Sequence, residues 1–223
     1  MGPRGGMLVP MPRRRGLFIA IEGPDGAGKT THAALLAERL ARERGLTVRR
    51  VREPGGTATG ERVREVLLDP RLKRMCPWTE LLLYMASRCQ LVEEVIAPAL
   101  KRGHAVVADR FLLSSVVYQG YAGRIGPRQV LALARAAFGG CFPDLTVIID
   151  LPAGQGLARS SCRRQGKADR VEAKGLAYAR RVRSGFLRAA RLGLAGRSAV
   201  VDSRRPLAAV AEAVWREVRR VLR

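Results

Sequence analysis

Aromatic and acidic residues are scarce in this chain, and both shortages limit the kinds of binding partner that its composition suggests. Only 5% of its 223 residues are Phe, Trp or Tyr, and 19 acidic residues stand against 41 lysines and arginines, for a formal charge of +22. Clustered cations bind nucleic acid, or they form a pocket for anionic small molecules. Because the arginines are spread through every segment with few aromatics among them, we favour solvated surfaces plus a phosphate pocket, with nucleic acid as the less favoured partner.

Paired cysteines and long apolar runs are also missing. The four cysteines lie far apart and form no C-x-x-C pair, which argues against a zinc site and a disulfide scaffold and suits a reducing cytoplasm. No apolar run approaches the length needed to cross a bilayer, so we predict no membrane segment. We therefore expect a cytoplasmic protein.

The first 16 residues differ from the rest of the chain. They contain three prolines, four glycines and an Arg-Arg-Arg run, without apolar periodicity. Such a composition predicts a disordered basic tail over residues 1–16. The remaining residues, 17–223, are enough for one domain with a substantial core.

A glycine-rich stretch, GPDGAGKT from Gly23 to Thr30, fits the pattern G-x-x-x-x-G-K-[ST]. An apolar run of strand length precedes it and a helical pattern follows it, which is the context that a phosphate-binding loop needs. Glycines let the backbone N–H groups turn inward, and the next helix directs its positive dipole end at the same anion. We predict that Lys29 reaches the β- and γ-phosphates and that the Thr30 hydroxyl holds Mg²⁺.

Strand and helix patterns alternate along the whole chain. Apolar strand-like runs over 46–51, 104–108, 145–150 and 199–202 are separated by helical patterns such as 57–68, 78–100, 127–138 and 206–222. This alternation predicts an α/β protein in which a parallel sheet is covered by helices on both faces. Glu53 lies in a Pro- and Gly-rich loop after the second strand, where sheets of this kind bind ligands.

Two charged residues end the third predicted strand. Asp109 is placed to hold Mg²⁺ beside the phosphate loop, or it caps the next helix. Arg110 is a candidate phosphate clamp, because guanidinium binds phosphate through two parallel hydrogen bonds; the alternative is a surface arginine.

A basic segment near residues 153–172 contains a glycine, which is typical of a mobile lid that brings cations to a transferring phosphoryl group. The alternative is a solvated helix face. Its cations are Arg159, Arg163, Arg164, Lys167 and Arg170.

Tyr84 and Arg88 are one helical turn apart, so they could stack on a base and bind its edge. Spacing alone favours a core tyrosine and a surface arginine instead.

Further stretches follow the phosphate loop in order: REPGGT from Arg52, LLLYMASRCQ from Leu81, DRFLLSSVVYQG from Asp109 and DRVE from Asp169. Together with the loop they resemble bacterial thymidylate kinase, and the resemblance runs from about Leu17 to the C-terminus. The phosphate loop is shared with many families, whereas REPGGT and the string D-R-x(4)-S-x-x-Y-Q-G are far more specific. It implies a three-layer P-loop fold with a five-stranded parallel sheet and a small helical lid at about 153–172. It also implies ATP- and Mg²⁺-dependent phosphorylation of dTMP to dTDP, by an enzyme that is usually a homodimer.

The resemblance also implies roles for individual residues. The ATP phosphates would be held by Gly23, Pro24, Asp25, Gly26, Ala27, Gly28, Lys29, Thr30 and Thr31. Asp25 would face the deoxyribose 3′-hydroxyl and the acceptor phosphate or its metal, and Arg110 would grip that phosphate. Asp109 would help to hold Mg²⁺. Because Gly26 is not basic, the catalytic arginine would come from the lid, as Arg159, Arg163 or Arg164.

On the nucleoside side, Tyr84 would stack on thymine and Arg88 would read its O4. Ser115, Tyr118 and Gln119 would line the pocket, with the tyrosine ring where a ribose 2′-hydroxyl would sit, and Glu53 would lie near the acceptor. The chain departs from the family at Ser87, usually Asp, which could loosen the orientation of Arg88.

Two rival functions remain at this point. One is another P-loop nucleotide or nucleoside kinase with a different acceptor. The other is a non-catalytic P-loop module that binds nucleic acid through its arginines.

Overall fold

The structure is a computed structural model that describes residues 16–163, 170, 172–194 and 196–222, with only the backbone of Arg163 and Glu172. Within these residues, five parallel strands form one sheet in the order β2-β3-β1-β4-β5. The strands are β1 (Phe18–Glu22), β2 (Val48–Arg52), β3 (Ala105–Asp109), β4 (Leu145–Asp150) and β5 (Ser198–Asp202). The predicted fold class is confirmed.

Helices connect the strands. In chain order they are α1 (Lys29–Arg44), α2 (Ala58–Leu68), α3 (Pro77–Leu91), α4 (Ala97–Lys101), α5 (Leu112–Ser115), α6 (Pro127–Phe138), α7 (Ala153–Arg163), α8 (Gly175–Arg191) and α9 (Leu207–Arg219). Of the predicted tail, only Gly16 is described, and its N–H donates to the carbonyl of Leu100 at 3.1 Å.

The long helix predicted over 78–100 is interrupted. A π-helical turn, Val92–Ile96, separates α3 from α4. Pro98 explains the break, because it has no N–H and its ring clashes with the carbonyl four residues earlier. A second π-helical segment, Val116–Ala122, continues α5.

The sheet separates two apolar cores because strand side chains alternate between faces. Phe18 and Ala20 of β1 pack on the side of α3, α5, α6 and α8. Ile19 and Ile21 pack on the other side, against α1 and α9. This burial on both faces explains the near-continuous apolar character of β1, β3 and β4. The parallel strands then end together, so the loops that follow β1, β2 and β3 meet at one edge.

Candidate active site

The phosphate loop joins β1 to α1, as predicted. Gly28 is in the left-handed region with φ 92° just before α1, and Gly26 has φ 76°. A Cβ atom on Gly26 would lie 2.2 Å from the carbonyl oxygen of Gly156 in α7. Glycine is therefore required there both by the backbone conformation and by the close approach of a second element.

Lys29, the first residue of α1, is buried, and its Nζ donates to the carbonyl of Pro24 at 2.7 Å. Burial, with a smaller contribution from Arg110, lowers the pKa of Lys29 to about 8. An ammonium held this way gains most from an anionic partner, because a phosphate would replace lost solvation.

The predicted metal ligands meet because β1 and β3 are neighbours. Ile21 pairs with Asp109 in the sheet, which brings the end of β3 beside the phosphate loop. The Thr30 hydroxyl donates to Asp109 Oδ2 at 2.5 Å. A hydroxyl and a carboxylate at this spacing are the hard oxygen ligands that suit Mg²⁺ beside phosphates. No cluster of three metal-binding side chains occurs among the described residues, and Mg²⁺ at such sites normally keeps several waters.

Arg110 is held by contacts from three directions. Its guanidinium pairs with the carboxylate of Asp25, and Nη1 donates to Ser114 Oγ at 3.0 Å and to the Gly23 carbonyl at 3.3 Å. The Tyr118 hydroxyl also donates to Asp25, at 2.9 Å. The backbone of Arg110 has φ 72°, a conformation that is uncommon for non-glycine residues and often marks functional sites.

A buried carboxylate that sequence reasoning missed supports this clamp. Glu22, fully buried at the end of β1, accepts from Ser114 Oγ at 2.6 Å and from the backbone N–H groups of Phe111 and Ser114. It thereby ties the start of α5 to the sheet and orients Ser114 toward Arg110. Burial raises the pKa of Glu22. Its only sequence signal was an acidic residue at the end of an apolar strand.

Glu53 and Arg88 form a buried ion pair beside the clamp. Arg88 Nε donates to Glu53 Oε2 at 2.7 Å, and Nη2 donates to the carbonyl of Phe111 at 3.1 Å. Spacing alone had favoured a surface position for Arg88, and that reading is wrong, since 1% of the residue is exposed. The substitution at Ser87 leaves these contacts in place, and Ser87 Oγ accepts from Gly55 N–H. Burial raises the pKa of Glu53 to about 7, while Arg88 opposes the rise.

One cavity joins the phosphate loop to this ion pair. It has a volume of about 160 Å³, and Lys29 and Thr30 line it together with Tyr84 and Arg88. The other predicted residues that line it are Asp25, Gly26, Gly28, Glu53, Asp109, Arg110, Ser115, Tyr118 and Gln119. The hydroxyl of Ser115 is buried without a hydrogen-bond partner among the described residues, as a ligand-binding group would be.

Several predicted residues lie outside this lining. Gly23, Pro24 and Ala27 contribute backbone carbonyls to Arg110, Lys29 and Ser203 respectively, and Thr31 is exposed on α1. Arg159 is exposed on α7. The side chain of Arg163 and the residues Arg164 and Lys167 lie outside the part of the chain that the structure describes.

The cavity also has lining residues that were not predicted, including Arg52, Pro54, Arg64, Leu68 and Ser114. Arg64 lies on α2, where Nη1 donates to the Pro54 carbonyl at 2.9 Å. Nothing in the sequence distinguishes it from the other arginines, because only the packing of α2 on α3 brings it to the cavity.

Comparison with known proteins agrees with this geometry. A family model for thymidylate kinase matches residues 21–214. The chain is similar to the thymidylate kinases of Caldanaerobacter subterraneus, with 50% identity over 78% of this chain and 81% of that protein, and of Deinococcus radiodurans, with 46% identity over 92% and 97%. The crystal structure of thymidylate kinase from Ehrlichia chaffeensis superposes with a TM-score of 0.74 at 30% identity, covering 91% of this chain and 98% of that one.

The match to the family model extends over most of the chain, and the match covers 81% of one relative and 97% of the other. The resemblance noted in the sequence is therefore confirmed, and the chain belongs to the thymidylate kinase family.

Proposed function

We propose that this protein transfers the γ-phosphoryl group of ATP to dTMP, forming ADP and dTDP. The observation that carries the proposal is that a phosphate loop and a pocket with a tyrosine, a buried arginine and a glutamine line one cavity. Two anionic substrates can meet there in line, which is the main requirement of phosphoryl transfer. The family to which the chain belongs supports the same reaction.

On the donor side, the loop from Gly23 to Thr31 would hold the ATP phosphates through its backbone N–H groups and the N-terminus of α1. Lys29 would turn from the Pro24 carbonyl to the β- and γ-phosphates. The hydroxyl of Thr30 and the carboxylate of Asp109, already in contact, would hold Mg²⁺. When bound, the metal ion would neutralise charge on the phosphate oxygens.

On the acceptor side, Arg110 would bind the phosphate of dTMP, aided by its fixed orientation between Asp25 and Ser114. Asp25 would face the 3′-hydroxyl. Burial raises the pKa of Tyr118, so it remains a neutral phenol that donates to Asp25. Its ring would exclude a ribose 2′-hydroxyl, while Tyr84 would stack on thymine and Arg88 would bind O4.

We further propose that residues 17–223 form one kinase domain whose lid covers about 153–172, and that Arg159, Arg163 or Arg164 supplies the catalytic cation. Support comes from the contact between Gly156 of α7 and Gly26, which places the start of α7 against the phosphate loop. Single alanine variants at the three arginines, compared by kcat, test this assignment; if all three retain wild-type kcat, the catalytic arginine does not come from this segment.

We propose that the protein is a homodimer, as the resemblance implies, because α2 and α3 expose large apolar side chains. Trp78 and Leu82, one turn apart on α3, are 49% and 51% exposed, and Val66 of the neighbouring α2 is 41% exposed. Exposed apolar side chains of this size fit an interface with a second copy. Sedimentation of wild type against Trp78→Glu/Leu82→Glu tests this, with a shift to monomer expected.

None of the described helices combines the length and apolar character needed to cross a bilayer. We propose a cytoplasmic location, in keeping with cysteines that form no disulfide among the described residues, and we retain nucleic acid as the less favoured partner.

A coupled assay with dTMP, dUMP, ribose-containing TMP, AMP and GMP as acceptors tests the central proposal. We expect dTMP to be the best acceptor and Lys29→Ala to lose most activity while keeping the wild-type circular dichroism spectrum. Full activity of Lys29→Ala, or preference for a purine acceptor, would count against the proposal.

A further inference from the structure

A second buried acidic residue, Glu80, connects three distant parts of the chain. It lies in the first turn of α3 and is 5% exposed. Oε1 accepts from Gln119 Nε2 at 2.7 Å, and Oε2 pairs with Arg170 Nη1 at 2.6 Å and with Lys174 Nζ at 3.5 Å. Gln119 lines the cavity described above, whereas Glu80 does not. Glu80 therefore acts on the cavity only through its partner.

Arg170 is buried in this structure, so it does not belong to the solvated helix face that the sequence offered as the alternative to a lid. It is 7% exposed, and its Nε donates to the carbonyl of Leu67, near the C-terminus of α2, at 2.9 Å. Its Nη1 pairs with Oε2 of Glu80, which leaves Oε1 as the oxygen bonded to Gln119. Buried ion pairs add little net stability, but removing one partner leaves the other charge buried and unpaired.

The carboxylate of Glu80 determines which end of the Gln119 amide faces the cavity. A glutamine amide has a donor end, NH₂, and an acceptor end, C=O. One of the two N–H groups at the donor end is engaged by Glu80, and no described residue donates to Gln119 Oε1. Turning the amide over would place its oxygen against a carboxylate oxygen, so the oxygen is held away from Glu80 and can accept from a ligand.

Arg88 offers the cavity a hydrogen-bond donor, whereas Gln119 offers an acceptor. Arg88 has five N–H groups. The N–H of Nε and one N–H of Nη2 contact Glu53, and the second N–H of Nη2 donates to the Phe111 carbonyl. One N–H of Nη1 contacts Met85 Sδ. What remains for a ligand is one N–H, and Arg88 lines the same cavity. The hydroxyl of Ser115 can donate or accept, so it does not discriminate.

We infer that Glu80 is a positioning residue that sets base specificity by fixing the amide of Gln119 with its oxygen toward the cavity. An acceptor at Gln119 and a donor at Arg88 match a base edge with a ring N–H beside a carbonyl, as in thymine and uracil. They oppose cytosine, which has an unprotonated ring nitrogen beside an amino group. This inference rests on the proposed function.

The decisive variant is Glu80→Gln, assayed with dTMP and dCMP. A neutral amide at position 80 offers either its oxygen or its nitrogen to Gln119, which frees the Gln119 amide to turn. We expect the ratio of kcat/KM for dTMP to that for dCMP to fall about tenfold or more. The loss for dTMP should lie in KM, because the phosphate clamps are untouched.

Arg170→Gln is the matched control. It removes the ion pair but leaves the carboxylate of Glu80 bonded to Gln119, so we expect lower stability toward urea and an unchanged ratio. The double variant Glu80→Gln/Arg170→Gln leaves no unpaired charge between these two positions and serves if Glu80→Gln alone does not fold. It should show the same relaxed ratio as Glu80→Gln.

If Arg170→Gln lowers the ratio of kcat/KM for dTMP to that for dCMP as much as Glu80→Gln does, Glu80 acts only as the ion-pair partner of Arg170, and the inference is overturned. A wild-type ratio in Glu80→Gln or in the double variant would also overturn it, with the proposed function left standing if wild type still phosphorylates dTMP. If wild type does not phosphorylate dTMP, both proposals fail.

Discussion

The two halves of the cavity are built in different ways. The phosphate loop is a single stretch, Gly23–Thr31, whose groups come mostly from the backbone and whose shape depends on glycine. The base pocket takes Glu53, Tyr84, Arg88 and Gln119 from three separate segments and depends on side chains. The first half follows from local sequence, and the second exists only when distant elements pack together.

The two halves also differ in how they hold charge. The phosphate loop leaves Lys29 on a backbone carbonyl, ready for an anion. In the base pocket, Arg88 is already paired with Glu53, and directly behind it Arg170 is paired with Glu80. The phosphate site therefore gains its charge partner on binding, whereas the base site has its arginine paired beforehand and selects by hydrogen-bond direction.

The largest effect should come from the clamp between the two halves. We expect Arg110→Ala to lower kcat by on the order of 10²–10³, because it removes a preorganised cation from the reacting phosphates. Steady-state kinetics with saturating ATP and dTMP measures this. Arg124→Ala is the control, since Arg124 is also an arginine with positive φ but is exposed and outside the cavity lining. Equal losses in both variants would assign the effect to backbone conformation.

Breaking the ion pair in the base pocket should affect stability first. Arg88→Met leaves Glu53 buried without its partner, so we expect a loss of roughly 3–5 kcal/mol in urea unfolding. The double variant Glu53→Gln/Arg88→Met should recover most of that stability but not the affinity for dTMP. If the double variant is as unstable as the single one, the pocket depends on packing rather than on charge pairing.

The phosphate loop should respond to pH instead. In the protein without ATP, the pKa of Lys29 is about 8 rather than 10.5, so its side chain loses its proton above pH 8. Binding of the anionic ATP would favour the protonated form again. We expect ATP affinity to fall by up to about tenfold per pH unit above pH 8, with proton uptake on binding. Calorimetry in buffers of different ionisation enthalpy measures the uptake. Lys29→Arg, which stays charged, should show neither effect.

The same shift has a defined sign for stability. The folded protein disfavours the charged Lys29 relative to the unfolded chain, so this residue opposes folding below pH 8. That opposition decreases between about pH 8 and 10.5, where the unfolded chain binds the extra proton.

The smallest effect concerns the helix that brings Arg64 to the cavity. The Thr57 side chain caps α2 by accepting from Gly60 N–H at 2.9 Å. Thr57→Ala should cost about 1 kcal/mol in urea unfolding and raise KM for dTMP more than KM for ATP. Thr47→Ala, at an exposed position before β2, should change stability by less than about 0.5 kcal/mol. A larger change in KM for ATP would contradict the separation of the two halves.

Prediction from the sequence succeeded where a functional group depends on neighbouring residues in the chain. It failed where the site is formed by side chains from distant segments. The parallel sheet, the phosphate loop and the closeness of Thr30 to Asp109 follow from apolar runs, glycine spacing and the shared edge of a parallel sheet. The buried supports Glu22, Ser114, Glu80 and Arg170 were not assigned their roles. Each is an ordinary polar residue in sequence, and its role depends on partners that are far away along the chain; Gln119, for example, lies 39 positions after Glu80.

By itself, the sequence determined that a phosphate-binding loop would follow the first strand of a parallel sheet, because glycine conformations and the helix N-terminus act within a few residues. Only the tertiary structure decided how Arg88, Arg110 and Gln119 are oriented. Their donors and acceptors are assigned by carboxylates from other elements, and a donor or acceptor left unpaired in such a poorly solvated place would be costly.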